Sequence, residues 1–297
     1  MSIINFGSLN IDHTYSLPHF VRPGETMKAD QYAVYCGGKG LNQSIAAAKA
    51  GALVRHACVA GSGSDILLDC LKCSGVDLSL MGHTDVSQGH AVIQVSDDGM
   101  NCIILCPGSN FQLTEQYVDT VLDTLDRSHY VMLQNETSNV PYIIRESARR
   151  GHRVVFNASP FEAGLREIDL RHLAWLMVNE IEGAEMSGET EPDKIIAALQ
   201  AANPNMGVVL TLGSGGSICC KGGECVRQSI FEVNAVDTTG AGDTYSGYFV
   251  AALDKGLSLE ETVLRATAAA AISVTRKGAG PSIPLSDEVD AFISENA

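Results

Sequence analysis

The segment NAVDTTGAGDTYSGYFVAAL, Asn234–Leu253, sets a Gly-Ala-Gly turn and the carboxylates of Asp237 and Asp243 against the start of an apolar helix. A helix opening near Ala241 leaves its first backbone N–H groups without intrahelical partners, and glycines let an anion come close to them. Gly240, Ala241 and Gly242 therefore form a candidate anion hole suited to a phosphoryl group in transfer. Asp243 lies beside it, where a carboxylate can accept a proton from an attacking hydroxyl. An ordinary carboxylate suffices, because phosphoryl transfer passes through a loose transition state. The competing reading makes Asp243 a first-turn acid favoured by the helix dipole and the glycines a simple turn. No G-x-x-x-x-G-K-[ST] loop occurs, and GSGSDI at Gly61 lacks the third glycine and the acidic partner of a dinucleotide fingerprint.

A second glycine-rich helix start is CGGKGLNQSIAAAKAGA, Cys36–Ala52. Gly37 and Gly38 would let main-chain amides touch a ligand, and Asn42 can both donate to and accept from a hydroxyl, which suits a polyol. The alternative is a packed strand-to-helix turn with Lys39 solvated. In GSLNIDHT, read as the end of the first strand, alternation places Asn10 and Asp12 on one side, at the carboxyl edge where open α/β sheets bind ligands. Glu136 in MLQNETS ends another strand in the same way. Either group could instead cap a helix.

These residues need a scaffold. Of 297 residues, 45% are apolar, enough for one large α/β domain or two smaller ones. No apolar run nears the ~20 residues of a bilayer span, and MSIINFGSLNID lacks the basic flank and cleavage site of a signal peptide, so a soluble, cytoplasmic protein is expected. A formal charge of −15 with no basic stripe argues against nucleic acid and membrane surfaces as partners and for a small molecule. An anionic nucleotide is still compatible, given backbone amides and a metal ion. The nine cysteines, odd in number and set in apolar runs such as SICCKGG, are expected to be reduced and mostly buried. Cys70 and Cys73 form a C-x-x-C inside a helix-like stretch with no second ligand pair, and the eight histidines show no metal spacing.

Short β-rich runs at 55–60, 129–134, 152–159, 173–180 and 207–213 alternate with amphipathic segments at 114–127, 140–150 and 192–201. That rhythm predicts βαβ units and a mainly parallel sheet covered by helices on both faces. Helices are also expected over Ala241–Leu253 and over the alanine-rich Leu259–Thr275. Glu25–Tyr35 and Gly89–Cys106 read as extended strands, the second turning at Asp97-Asp98-Gly99, and together they suggest a small β flap on the α/β body.

The pairing of GGKGLNQSIAAAKAGA with DTTGAGD, and the ordered TLGSGG and VTRKGAGPSIP, resembles the ribokinase-like carbohydrate kinase family, named for its phosphofructokinase B members, over nearly the whole chain. The resemblance implies a three-layer α/β sandwich with a mainly parallel central sheet, comprising 1–11, 36–88 and 107–297, and a β lid comprising 12–35 and 89–106. It implies ATP-dependent phosphorylation of the primary hydroxyl of D-ribose, or of deoxyribose, a keto-sugar acid or a nucleoside. Asp243 becomes the base and Gly240, Ala241 and Gly242 the anion hole. Asn10, Asp12, Gly38, Asn42 and Glu136, with Lys39 and Gly40 of the same turn, hold the sugar. Asn179 and Glu182 match an N-x-x-E element near the phosphates and Mg2+. The nucleotide lies over Thr211, Leu212, Gly213, Ser214, Gly215 and Gly216 and near Thr267. An activating K+ matches Asp237, Thr239, Ser273, Arg276, Gly278 and Ser282, several through backbone carbonyls. The resemblance also implies that lids pair into a homodimer.

Two departures stand out. Leu41 replaces a small residue and is expected to narrow or reshape the sugar pocket, and the G-x-D-x-x-G spacing is missing around Val59–Asp69. Readings of other classes are a noncatalytic sugar or nucleotide sensor and, weakly for lack of a fingerprint, an NAD-dependent enzyme.

Overall fold

The computed structural model describes residues 2–125 and 129–296. In chain order it runs β1 (Ser2–Phe6), β2 (Asn10–Leu17), β3 (Gln31–Gly37), α1 (Lys39–Lys49), β4 (Leu53–Ala57), β5 (Val59–Ser62), α2 (Asp65–Cys73) and β6 (Gly82–Ser87). The hairpin β7 (His90–Ser96) and β8 (Asn101–Cys106) leads to α3 (Glu115–Asp123), β9 (Tyr130–Gln134), α4 (Val140–Arg149), β10 (Arg153–Asn157) and β11 (Trp175–Asn179). Then come α5 (Glu180–Ser187), α6 (Pro192–Ala202), β12 (Gly207–Thr211), β13 (Ser217–Lys221), β14 (Glu224–Gln228), α7 (Ala241–Lys255), α8 (Leu259–Val274) and α9 (Ser286–Glu295).

Eight strands form the central sheet in the order β14-β13-β12-β11-β10-β9-β1-β4, parallel from β12 to β4 and antiparallel at the β13 and β14 end. Strand side chains alternate between faces, so Ile3 joins the core under α1, α7 and α8 while Ile4 joins the one under α3, α4 and α6. This is the three-layer α/β sandwich. Buried alanines let α8 lie close, among them Ala266, Ala268 and Ala269. Gly247 does the same for α7, since a Cβ there would lie 2.4 Å from Ala46 Cβ of α1.

Four strands, β3-β2-β7-β8, make a separate sheet, and β5 pairs with β6. Several sequence expectations change here. The first strand ends at Phe6, and Asn10 and Asp12 belong to β2 of the small sheet, because the chain breaks at Gly7 to cross between sheets. The run at 55–60 divides into β4 and β5. Residues 25–30 are not strand, the extended part being Gln31–Gly37. The helix expected over 114–127 ends at Asp123, with Thr114 Oγ1 accepting the Tyr117 amide as its cap. Asp126 and Arg127 of that expectation lie outside the described residues. Leu41 is fully buried in the core beneath α1 and presents no accessible surface to a pocket.

The cysteine expectation also fails in part. Cys220 and Cys225 are direct cross-strand partners in the β13–β14 hairpin and are joined by a disulfide. Cys73, Cys102 and Cys106 are exposed thiols, whereas Cys58 and Cys219 are buried. Among the described residues no helix is long and apolar enough to cross a membrane.

Candidate active site

Helix α7 opens at Gly240, whose φ of 75° is left-handed and whose Cβ would meet Ala279 Cβ at 2.8 Å. Only glycine fits there without strain. The first i→i−4 bond runs from the Thr244 amide to the Gly240 carbonyl at 2.8 Å, so the amides of Gly242 and Asp243 precede the helical ladder. A Cβ on Gly242 would meet nothing within 4 Å, so this turn faces open space.

Asp243 is buried under that turn, and both of its carboxylate oxygens are held from α1. Asn42 Nδ2 donates to Oδ2 at 3.0 Å and Gln43 Nε2 donates to Oδ1 at 2.9 Å. The close α1–α7 crossing at Gly247 and Ala46, one turn further along each helix, makes this reach possible. Asn42 Oδ1 is buried without a partner among the described residues. Such an atom is an acceptor waiting for a donor.

At the other end of this turn the Glu136 carboxylate accepts the Lys39 amide at 2.9 Å and the Ser8 hydroxyl, which in turn accepts the Gly40 amide at 3.1 Å. Glu136 thus serves the amino end of α1. Burial raises its carboxyl above the ordinary value, an effect that the Lys39 charge and the Ser8 hydrogen bond oppose. Asp12 is raised to about 7, by burial first and then by the neighbouring Glu136. Burial alone would lower Lys39, but the charges of Asp243, Glu136 and Glu182 outweigh it and raise its ammonium above the ordinary value. The lysine side chain therefore brings positive charge between three carboxylates. Gly37 makes room for Asp12, since a Cβ there would lie 2.0 Å from Asp12 Oδ2. Gly38 sits at φ 96°, and Gly40 packs so tightly that a Cβ would lie 2.2 Å from Ser8 N.

A cavity of ≈ 170 Å³ joins Lys39 and the Gly240–Asp243 turn to Asn179, Glu182 and Thr211 at the carboxyl ends of β11 and β12. Asn179 and Glu182 form a capping box on α5: Asn179 Oδ1 accepts the Glu182 amide at 2.8 Å and Glu182 Oε2 accepts the Asn179 amide at 2.9 Å. Amides, one cation and buried carboxylates around one cleft can bind a phosphoryl group and take a proton from an alcohol.

Residues 2–285 match the family model for pfkB family carbohydrate kinases. The chain belongs to the pfkB family of carbohydrate kinases. It is 36% identical to a ribokinase of Haemophilus influenzae, covering 97% of this chain and 96% of that protein. Among solved structures, Thermotoga maritima ribokinase superposes with a TM-score of 0.90 at 36% identity, covering 99% of both chains. Arabidopsis thaliana ribokinase, solved with ribose and ATP, superposes with a TM-score of 0.86 at 28% identity, covering 98% of both. As a pfkB kinase, the chain is an ATP-dependent sugar kinase.

Not every expected residue of this pfkB kinase reaches the cavity. Asn10 Oδ1 accepts from Asn110 Nδ2 at 2.8 Å, and Asn110 also clasps the Leu9 backbone. Gly213, Ser214 and Gly215 form an exposed turn beyond Thr211 and Leu212, and Gly216 is buried with no room for a Cβ beside the Gln228 carbonyl. Thr267 spends its hydroxyl on the Val263 carbonyl within α8. Asp237 ties two loops, accepting the Thr239 amide at 2.9 Å and the Gly278 amide at 2.8 Å. Partial burial opposes these bonds, yet they hold its carboxyl below the ordinary value. Arg276 turns to Glu288, while the Ser273 and Ser282 hydroxyls bond to the Ala270 and Ala279 carbonyls. The side chains of these residues are thus engaged within the protein.

Asn157, Ser159, Thr238 and Ser246 line the cavity but carried no expectation. Asn157 ends an apolar strand, the same feature that drew attention to Glu136, and applying that rule to β10 would have found it.

Proposed function

We propose that the chain transfers the γ-phosphoryl group of ATP to the primary hydroxyl of D-ribose, giving ADP and ribose 5-phosphate. The observation that carries this is the Asp243 carboxylate, buried beside the open amino end of α7 and held by Asn42. The hydroxyl oxygen attacks the γ-phosphorus, the bond to the β-phosphate oxygen breaks, and the hydroxyl proton passes to Asp243. The amides of Gly240 and Gly242 and the charge of Lys39 stabilise the phosphoryl oxygens in flight, whereas the Ala241 amide, expected to join them, is turned to the Thr238 carbonyl at 3.3 Å. Asp12, Asn42 and Glu136, with Asn10, Gly38 and Gly40 shaping the pocket, hold the sugar. Thr211 to Gly216 and Thr267 border the nucleotide.

Glu182 lines the cavity with one oxygen committed to its cap, and a carboxylate plus phosphate oxygens is a donor set that suits Mg2+ carried in on ATP. When bound, the ion would neutralise phosphate charge. Asp237, joining the loops at Thr239 and Gly278 next to Gly240, supports a K+ site completed by carbonyls near Ser273, Arg276 and Ser282. The cation would brace the turn that binds phosphate.

Residues 12–35 and 89–106 act as a lid on the core of 1–11, 36–88 and 107–297, excluding water as a competing acceptor. Tyr35, Ile103 and Leu105 lie on the Asp12 side of the small sheet about half exposed, which supports a homodimer in which a second lid covers them. An enzyme that draws on ATP and free sugar would act in the cytoplasm.

Coupled ADP release over a panel of pentoses, deoxyribose, hexoses, keto-sugar acids and nucleosides tests the assignment. Ribose is expected to give the highest kcat/KM. Silence with ribose beside brisk turnover of another sugar reassigns the substrate, and ribose binding without any ATP consumption makes the protein a sensor.

A further inference from the structure

Gln43 is fully buried and has no route to a ligand, yet it donates to the carboxylate on which the reaction depends. Its own carbonyl oxygen accepts from Gln134 Nε2 at 2.7 Å, and the same Gln134 nitrogen donates to Asn5 Oδ1 at 3.0 Å. Asn5 Nδ2 donates to the Gly40 carbonyl at 2.9 Å and to Ser44 Oγ at 2.9 Å. All of these side chains are buried.

A side-chain amide can flip end for end, but a backbone carbonyl can only accept. The Gly40 carbonyl therefore fixes the nitrogen end of Asn5. Asn5 then presents oxygen to Gln134, Gln134 presents nitrogen to Gln43, and Gln43 has to present its N–H to Asp243. Polarity is transmitted from the main chain to the carboxylate through three amides, each with one permitted orientation. Asn42, slightly exposed at 6%, holds the opposite oxygen, Oδ2. Oδ1 thus faces the interior and Oδ2 the side where the sugar alcohol must come.

We infer that Gln43 is a positioning residue for phosphoryl transfer: it anchors Asp243 Oδ1 in the protein interior so that Oδ2 is presented to the substrate hydroxyl, its donor direction being set by Gln134 and Asn5. The inference rests on the reading of Asp243 as the base. Loss of the donor frees the carboxylate to turn away from the side where the alcohol must come.

Gln43→Met keeps the volume and removes the donor. It is expected to lower kcat by ~10- to 100-fold, the scale of one hydrogen bond to a charged group. The ribose KM should change by less than about threefold, because the residue touches no substrate. Gln43→Glu keeps the shape and an acceptor for Gln134 but loses the donor to Asp243, so kcat should fall with the ribose KM held here too, and it serves if the methionine variant fails to fold. Combining either change with Asp243→Asn should add almost nothing to the loss from Asp243→Asn alone. If Asp243→Asn loses turnover while both Gln43 variants keep the kcat of the unaltered protein, or change kcat and the ribose KM in equal measure, Gln43 is a packing residue and the inference is overturned. If Asp243→Asn itself keeps turnover, the base assignment fails and this inference fails with it.

Discussion

Asn42 and Asp243, 201 positions apart in the chain, share a 3.0 Å hydrogen bond between Nδ2 and Oδ2. It closes the gap between two glycine-rich helix starts, one suited to hydroxyls and one to phosphate. Asn42 keeps its buried Oδ1 unpartnered among the described residues, so the same side chain can accept from a neighbouring sugar hydroxyl while Asp243 would take the proton of the attacking one.

Asp243→Asn should therefore separate binding from chemistry. The isosteric amide cannot take the proton, and turnover is expected to fall by ~10²- to 10⁴-fold. Ribose affinity by calorimetry should stay near that of the unaltered protein. Substantial residual turnover would remove Asp243 from the role of base.

Gly242 and Gly240 should respond to alanine in opposite ways in stability and alike in turnover. At Gly242 the new Cβ meets no protein atom within 4 Å, and replacing glycine in a helix contributes up to about 1 kcal/mol of stability. The melting temperature should rise slightly while turnover falls, because the methyl projects where phosphate oxygens would sit. At Gly240 the left-handed φ of 75° costs an L-residue about 1–2 kcal/mol before the Ala279 contact is counted, so Gly240→Ala should lower both stability and turnover. Unchanged turnover in Gly242→Ala would contradict an anion hole at this turn.

The raised Asp12 carboxyl makes stability depend on pH. Between the ordinary value of 3.8 and about 7 the folded protein keeps a proton that the unfolded chain has released. Stability is accordingly lost as pH rises through this window, and the full cost, up to about 4 kcal/mol, is present above it. Asp12→Asn should melt at a higher temperature than the unaltered protein at pH 8 and at the same temperature near pH 4, while its ribose KM rises. A melting difference that ignores pH would show that the carboxyl titrates normally.

Asp237→Ala removes the acceptor that joins the Thr239 and Gly278 amides. The proposed activation by K+ should be absent from this variant in the ADP-release assay, with activity held at the level of a K+-free buffer. Unchanged cation dependence would move the proposed cation elsewhere.

On the small sheet proposed as a lid, Ile103→Lys with Leu105→Lys should convert the proposed homodimer to a monomer by light scattering, since lysines at two half-exposed apolar positions resist burial against a second sheet. A dimer that persists would place the contact on another surface.

The sequence by itself determined the two glycine-rich helix starts, the candidate base, the βα rhythm and the family resemblance. These are short-range features: positive-φ glycines, helix starts and strand alternation are set by neighbours within a few residues. Tertiary structure alone decided that Asn10 and Asp12 leave β1 for the small sheet, that Leu41 turns into the core, and that Cys220 meets Cys225. It also decided that Gln134 and Asn5 back Gln43 behind Asp243. A buried amide looks like any other polar residue in the chain. Its partner is chosen only when close packing, here permitted by Gly247 against Ala46, brings distant segments together and leaves each donor one acceptor to satisfy.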